Sequence, residues 1–230
     1  MPEISEVRIM SDLINRVASS VDHFVGITKS SEHKSKTDLT LPYSKFQIIA
    51  EPRGKELRLQ FFDWGHRGMV YRTQYLTFTM GMSGNWNYSK NVFSIPKHTH
   101  LMIADCNGGV LGMQDVRRFA RWDWRSWNPE RSMDPTDDPV GFENFIELAI
   151  NYENDHRIFN KPIYEALMDQ RYFNGIGNYL RAEILGRIDE DPNQSARSYI
   201  RSTGSQFFDT LQTVIKESYL LGGGQFKDWY

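Results

Sequence analysis

Apolar residues recur at helical spacing at the start of the chain. Val7, Met10, Leu13, Ile14 and Val17 repeat every three or four positions, which predicts an amphipathic helix over 2–18. Pro2 suits its first position, where no amide donor is needed, and Glu3 and Glu6 suit the positive end of the helix dipole. From about 24 to 123 the pattern changes to short runs separated by Gly, Pro, Asn or charged turns. It predicts strands at 45–51, 55–62, 67–72, 75–80, 91–95 and 100–106. Short strands at regular spacing, with no long helical pattern, suggest a β-sandwich or barrel.

Residues 127–141 carry three prolines and several acids and read as a linker. Beyond them helices are expected over 142–152, 162–169, 178–187 and 205–221. Pro162 opens the second of these, and in the last Ser205 is the expected cap and Gly222 the stop. Phe208, Leu211, Val214, Ile215 and Leu221 mark its buried stripe. The expected organisation is α+β. An N-terminal helix and antiparallel β domain span 1–126, a linker 127–141 and a helical domain 142–230, with a cleft between the domains.

Composition changes this picture little. A chain of 230 residues, 40% apolar and 24% charged, can bury one large core or two modest ones. No apolar run reaches 18 residues, so no membrane partner is expected. The opening MPEISEVRIMSDL lacks the basic and apolar regions of a secretory signal. Cys106 is the single cysteine, which excludes an internal disulfide and a multi-cysteine zinc site and fits a reducing intracellular compartment. A net charge of −2 does not itself point to nucleic acid, so a DNA partner requires the basic residues to gather on one face.

Four constellations carry candidate chemistry. The first is the N-terminus. Removal of Met1 makes Pro2 a secondary amine that titrates near 8, roughly two units below lysine. Such an amine can attack a sugar C1′, form an iminium ion and eliminate the 3′ phosphate, with Glu3 and Glu6 beside it to move protons. The same residues also make an ordinary helix start. The second is Arg53-Gly54-Lys55-Glu56 at a turn between strands, where Lys55 could reach a phosphate or sit as a solvated hairpin charge.

The third joins Gly81-Met82-Ser83-Gly84 to Asp115-Val116-Arg117-Arg118-Phe119, with Arg121 and Trp122. A protein that extracts a base must fill the gap it leaves, and Met82, Arg117 and Phe119 are suitable wedges. Met82 and Phe119 also read as core, with the arginines on the surface. The fourth is the loop 170–178, QRYFNGIGN. Gly175 and Gly177 allow close backbone approach, Asn178 can cap the next helix, and the amides there offer an anion site suited to a DNA phosphate. A glycine-rich turn of a helical hairpin is the plainer reading. His98-x-His100 lacks further ligands nearby, so a structural or phosphate-contact role for His100 is expected rather than metal.

Taken in order, MPEISEV, RGKELRL, GMSG, KHTHL, DVRRFARWD, MDQRYFNGIGNYLRAEILGR and YLLGGGQ resemble the formamidopyrimidine-DNA glycosylase / endonuclease VIII family. The likeness is to eukaryote-type endonuclease VIII-like proteins with a zincless finger and to their giant-virus relatives. It covers nearly the whole chain. It departs at Ile4 and Ser5, where the family usually has Gly then Pro. The family also carries a C-terminal finger, which is expected to be absent or to lie beyond Tyr230.

The resemblance implies a β-sandwich joined to a helix-two-turn-helix domain. Pro2 becomes the nucleophile, Glu3 the catalytic acid, Glu6 a sugar-contacting carboxylate and Lys55 the lysine assisting at sugar and phosphate. Met82, Arg117 and Phe119 become the void-filling trio, Asn178 the phosphate-holding asparagine, and Arg118, His100 and Gly177 further DNA contacts. The implied activity is a bifunctional glycosylase and AP lyase of base excision repair. It removes oxidised pyrimidines and ring-opened purines through a Pro2 Schiff base with β,δ-elimination. The partner is damaged duplex or single-stranded DNA, bound by a monomer without zinc or another cofactor. The setting is nucleus, cytoplasm or, for a virus-encoded enzyme, an infected cell. The alternative is a non-catalytic damaged-DNA binder or finger-less core, which predicts salt-sensitive binding without base release.

Overall fold

A computed structural model describes residues 1–63, 73–151 and 157–224. The expected strand 67–72 and the tail 226–230 lie outside the described residues. The chain forms two compact units. One holds Met1–Pro2, Val7–Pro52 and Glu56–Trp127, and the other Glu3–Glu6, Arg53–Lys55 and Asn128–Tyr230.

In the first unit, α1 (Ile4–Ser20) turns Val7, Met10, Ile14 and Val17 into the core. It begins two residues later than the periodicity suggested, so Pro2 precedes the helix. Eight strands follow: β1 (Phe24–Lys29), β2 (Phe46–Arg53), β3 (Glu56–Asp63), β4 (Thr73–Thr79), β5 (Asn85–Ser89), β6 (Thr99–Asp105), β7 (Val110–Gln114) and β8 (Arg121–Trp124). Their order is β5-β7-β6-β1-β2-β3-β4-β8, with antiparallel pairing. The β1–β2 junction rests on one pair, Phe24 opposite Phe46. Buried apolar residues from strands on both sides of that junction belong to one core. Phe78 of β4 meets Trp86 of β5 edge-on at 5.4 Å. Each such large apolar side chain contributes about 1.5–3 kcal/mol by leaving water.

The expected strand at 91–95 is instead a 3-10 turn, Val92–Ser94. Asn91 overrides the β pattern because its side chain accepts from Phe93 N and Ser94 N, both at 3.1 Å. Four strands escaped the sequence pattern: β1, β5, β7 and β8. In β7, Gly112 interrupts the apolar run because Thr99 lies against it; a Cβ there would stand 2.8 Å from Thr99 Cγ2.

The second unit is helical: α2 (Pro139–Asn151), α3 (Ile163–Ala166), α4 (Asn178–Gly186), α5 (Ala196–Thr203) and α6 (Ser205–Leu220). Ile4, Phe142, Phe159, Phe173, Tyr199 and Phe207 are among its buried residues. The expected helix at 162–169 is only four residues long, and α5, capped by Ser195 accepting from Ser198 N at 3.2 Å, was not anticipated. Gly204, at φ 55°, caps α6, displacing Ser205 into the first turn. Gly222 ends it at φ 85°. Residues 128–138 form turns, and they are pinned in place: Ser132 Oγ donates to Tyr172 O at 3.0 Å, and Asp134 Oδ2 accepts from Gly54 N at 2.8 Å. No helix among the described residues is long and apolar enough to cross a membrane.

Candidate active site

Three stretches distant in sequence meet in the second unit: Glu3–Glu6, Arg53–Lys55 and the loop before α4. Ile4 N donates to Gly175 O at 3.1 Å, which docks the start of α1 on that loop. Gly175, at φ 102°, leaves room for Ile4; a Cβ there would lie 2.7 Å from Ile4 Cβ.

Glu3 is 2% exposed. Its carboxylate accepts from Gly177 N at 2.7 Å, Tyr179 N at 3.3 Å and Leu180 N at 3.4 Å. The anion site expected at this helix start therefore exists, but Glu3 fills it, not a DNA phosphate. Gly177 is glycine for that reason: a Cβ would stand 2.0 Å from Glu3 Oε1. Gly177 also holds the cap position expected of Asn178, which is the first residue of α4 and has an exposed side chain. Burial raises the Glu3 carboxyl to about 7, against the opposing pull of Lys55 and the three amides.

Glu6 reaches back to the helix start, since its Oε2 accepts from Glu3 N at 2.9 Å. The Tyr179 hydroxyl lies 3.0 and 2.9 Å from its two oxygens and 2.9 Å from Ser218 Oγ. Gly224 N donates to Glu6 Oε1 at 2.6 Å. Burial, and then the Glu6 charge, push the Tyr179 hydroxyl far above its usual range, so it stays protonated and donates.

Lys55 follows Gly54 (φ 56°) in the two-residue β2–β3 turn, and it is 8% exposed. It is thus no solvated hairpin charge. Its Nζ donates to Ile176 O, which also accepts from Gln170 Nε2 at 2.9 Å. Burial brings Lys55 down to about 8; Glu3 opposes that shift and Arg131 adds to it. Arg131 Nη1 reaches Asn174 Oδ1 at 3.2 Å and Gln170 Oε1 at 3.4 Å. Arg131, Gln170, Tyr179 and Ser218 were not singled out from the sequence. Gln170 and Tyr179 stood within or beside the quoted loop, but nothing in their spacing disclosed their partners.

Pro2 is half-buried and adjoins Glu3 along the chain. A carboxyl near 7 and an ammonium near 8 exchange protons at neutral pH with little driving-force penalty, which suits acid–base work.

In the first unit, Met82, Arg117 and Phe119 do form one group. Met82 and Phe119 are 48% and 52% exposed, so they are not core. Arg117 Nη1 lies 3.5 Å from Met82 Sδ, and its guanidinium carbon is 5.1 Å from the Phe119 ring centre. Asp115 organises this tip from below. It is fully buried, and it accepts from Ser83 Oγ, Arg117 N at 3.2 Å and Ala120 N at 2.7 Å. Burial alone would raise its pKa, but these hydrogen bonds hold it below the usual carboxylate range. Arg118 is exposed at φ 58°. His100 is a correction. At 1% exposure, with Nε2 3.1 Å from Asp115 O, it lies beneath the tip and supports it, too deep to touch DNA.

Comparison with known proteins gives concordant findings. Residues 1–122 match the family described as formamidopyrimidine-DNA glycosylase N-terminal domain. The chain is 34% identical to endonuclease 8-like 1 of Homo sapiens over 206 residues, covering 88% of this chain and 51% of the relative. It thus spans about half the length of that protein. It is 26% identical to formamidopyrimidine-DNA glycosylase of Streptococcus agalactiae serotype III over 242 residues, covering all of this chain and 82% of the relative. The crystal structure of MutM (Fpg) protein from Thermus thermophilus superposes with a TM-score of 0.69 at 21% identity, covering 99% of this chain and 79% of that one.

Proposed function

The chain belongs to the formamidopyrimidine-DNA glycosylase / endonuclease VIII family, and on that premise we propose that it is a DNA glycosylase with AP lyase activity, acting in base excision repair on oxidised pyrimidines and ring-opened purines. The observation that carries this reading is the burial of Glu3 and Lys55, with a carboxyl near 7 and an ammonium near 8, where Glu3 directly follows Pro2 in the chain and its amide donates to Glu6.

The proposed chemistry begins when Met1 is removed and the Pro2 nitrogen becomes a free secondary amine. Its lone pair attacks C1′ of the damaged nucleoside. The C1′–N glycosidic bond breaks, and the base leaves with the bonding pair and takes up a proton. Protonated Glu3 donates to the sugar ring oxygen as the C1′–O bond opens, which leaves an iminium between Pro2 and C1′. Loss of a C2′ proton then expels the 3′ phosphate, and a second elimination expels the 5′ phosphate. Water hydrolyses the iminium and frees the amine. Glu6, held by Tyr179 and Gly224, contacts the sugar. Lys55 assists at sugar and phosphate, and exposed Asn178 holds a phosphate. Met82, Arg117 and Phe119 occupy the space the extracted base vacates. An amine, carboxylates and a lysine suffice for every step, so the reading needs no cofactor, and a monomer serves.

Cyanoborohydride tests it, because it reduces an iminium to a stable amine. With a duplex bearing an oxidised pyrimidine, a covalent protein–DNA complex is expected from the protein lacking Met1 and not from Pro2→Gly. Absence of any trapped complex, on the lesion or on a plain abasic site, rejects the lyase reading in favour of a DNA binder.

A further inference from the structure

Gln170 lies in the turns that follow α3, within the second unit. Its side-chain amide is engaged at both ends. Oε1 accepts from Gly175 N at 3.0 Å and faces Arg131 Nη1 at 3.4 Å. Nε2 donates to Ile176 O at 2.9 Å and to Met168 O at 3.1 Å. These partners allow one orientation only, because backbone amides and guanidinium groups donate while carbonyls accept. The backbone is tied as well, since Ser132 N donates to Gln170 O at 3.2 Å.

Ile176 O links this amide to the chemistry, because it is also the acceptor of Lys55 Nζ. A carbonyl oxygen has two lone pairs, and Gln170 and Lys55 take one each. With Gln170 in place the carbonyl is fixed, and the lysine is confined to the side that remains. Lys55 needs such a fixed point, because its charge rides on a flexible four-carbon stem. An ammonium that assists at a sugar and a phosphate acts through its placement.

We infer that Gln170 is a positioning residue for Lys55, acting through the Ile176 carbonyl. The inference rests on the function proposed above, in which Lys55 assists at the sugar, and adds a residue that holds the lysine's acceptor. Gln170 carries no charge and exchanges no proton at neutral pH, so its contribution is geometric.

The test is a cycle of four intact chains: wild type, Gln170→Met, Lys55→Met and the double variant. Single-turnover cleavage of a duplex with a preformed abasic site gives the bound rate. A titration with a duplex bearing a tetrahydrofuran analogue gives the affinity. Gln170→Met keeps the side-chain length and removes the amide, and its bound rate is expected to fall about tenfold. Its affinity should stay within about twofold of wild type, and in the Lys55→Met background the same replacement should slow cleavage by no more than about twofold. An unchanged rate in Gln170→Met, a loss confined to affinity, or the full loss repeated in the Lys55→Met background overturns the assignment. The last result also covers action through Gly175 and the start of α1, which does not depend on Lys55. If Gln170→Met fails to fold, Gln170→Glu replaces it in the cycle, because it keeps an acceptor for Gly175 N and Arg131 and loses only the donor to Ile176 O. Failure of both to fold makes Gln170 a structural residue and overturns the assignment as well. A wild type that leaves the abasic strand intact instead fails the function reading itself, so the two failures are distinguishable.

Discussion

Gly177 N–H donates to the Glu3 carboxylate at 2.7 Å, and the Gly177 Cα leaves no space for a Cβ, which would lie 2.0 Å from Glu3 Oε1. The backbone at Gly177 is extended, φ −130°, so the restriction is contact with Glu3 alone. Gly177→Ala is therefore expected to push Glu3 off the helix start and leave three amides short of an acceptor. Losses of this kind cost about 1–3 kcal/mol per buried donor. Base release should fall at least tenfold, and the thermal midpoint should drop by several degrees in calorimetry. Near-normal release in a folded Gly177→Ala protein contradicts the assignment of Glu3 as the acid.

The Glu3 and Lys55 shifts act on stability at different pH. Glu3 is raised from 4.5 to about 7, so the folded state binds its proton more tightly than the unfolded state does. Its stabilising contribution is complete below about 4.5 and is lost as pH rises to about 7. Lys55 is lowered from 10.5 to about 8, so its contribution is complete above about 10.5 and is lost as pH falls to about 8. Both contributions are missing between about 7 and 8. Denaturant unfolding should show stability falling from pH 5 to 7, by on the order of 3 kcal/mol at most. Glu3→Gln should flatten that limb and abolish base release. A wild-type profile flat from pH 5 to 7 contradicts the raised carboxyl.

Much of this site was legible before the fold. Pro2, Glu3, Glu6 and Lys55 stand in short local motifs, and the amide site before α4 follows from glycines and a helix start. What the sequence could not disclose is which group fills that site. Glu3 and Gly177 are far apart in the chain, and only tertiary docking of Ile4 on Gly175 brings them together. For the same reason the choice between a structural and a phosphate-contact role for His100 stays open until its burial beside Asp115 is seen. The missed strands have a local cause. β5 (NWNYS) and β8 (RWDW) are short and largely polar, and they join the sheet as its two edges, where pairing with β7 and β4 outweighs their weak propensity.

The tip beneath which Asp115 lies separates wedge from support. Arg117→Ala and Phe119→Ala remove exposed side chains, so stability should stay within about 0.5 kcal/mol. Excision from duplex should fall, and excision from single-stranded or bubble DNA should fall much less, because extrusion costs little there. Asp115→Ala instead strips acceptors from Ser83, Arg117 and Ala120 and is expected to cost about 2–4 kcal/mol. Comparing duplex with bubble rates across the three variants checks this. An equal loss on both substrates for Phe119→Ala contradicts the wedge role.

Tyr179 tests whether Glu6 must be held. Its hydroxyl reaches both Glu6 oxygens and Ser218 Oγ, and no sequence motif assigned it a role. Tyr179→Phe keeps the ring but removes the donor. Glu6 retains Glu3 N and Gly224 N as partners, so it is loosened and not released. A hydrogen bond to a charged group contributes about 1.5–3 kcal/mol, which sets the expected loss of strand cleavage at roughly 10- to 100-fold. DNA affinity should change little, since the hydroxyl is turned to Glu6 and Ser218. Single-turnover cleavage of a preformed abasic site gives the rate, and a binding titration gives the affinity. If affinity falls while the bound rate is unchanged, Tyr179 serves binding and Glu6 does not depend on it. If the rate falls in Tyr179→Phe and falls no further in Tyr179→Phe/Glu6→Gln, the two residues act through one contact at the sugar.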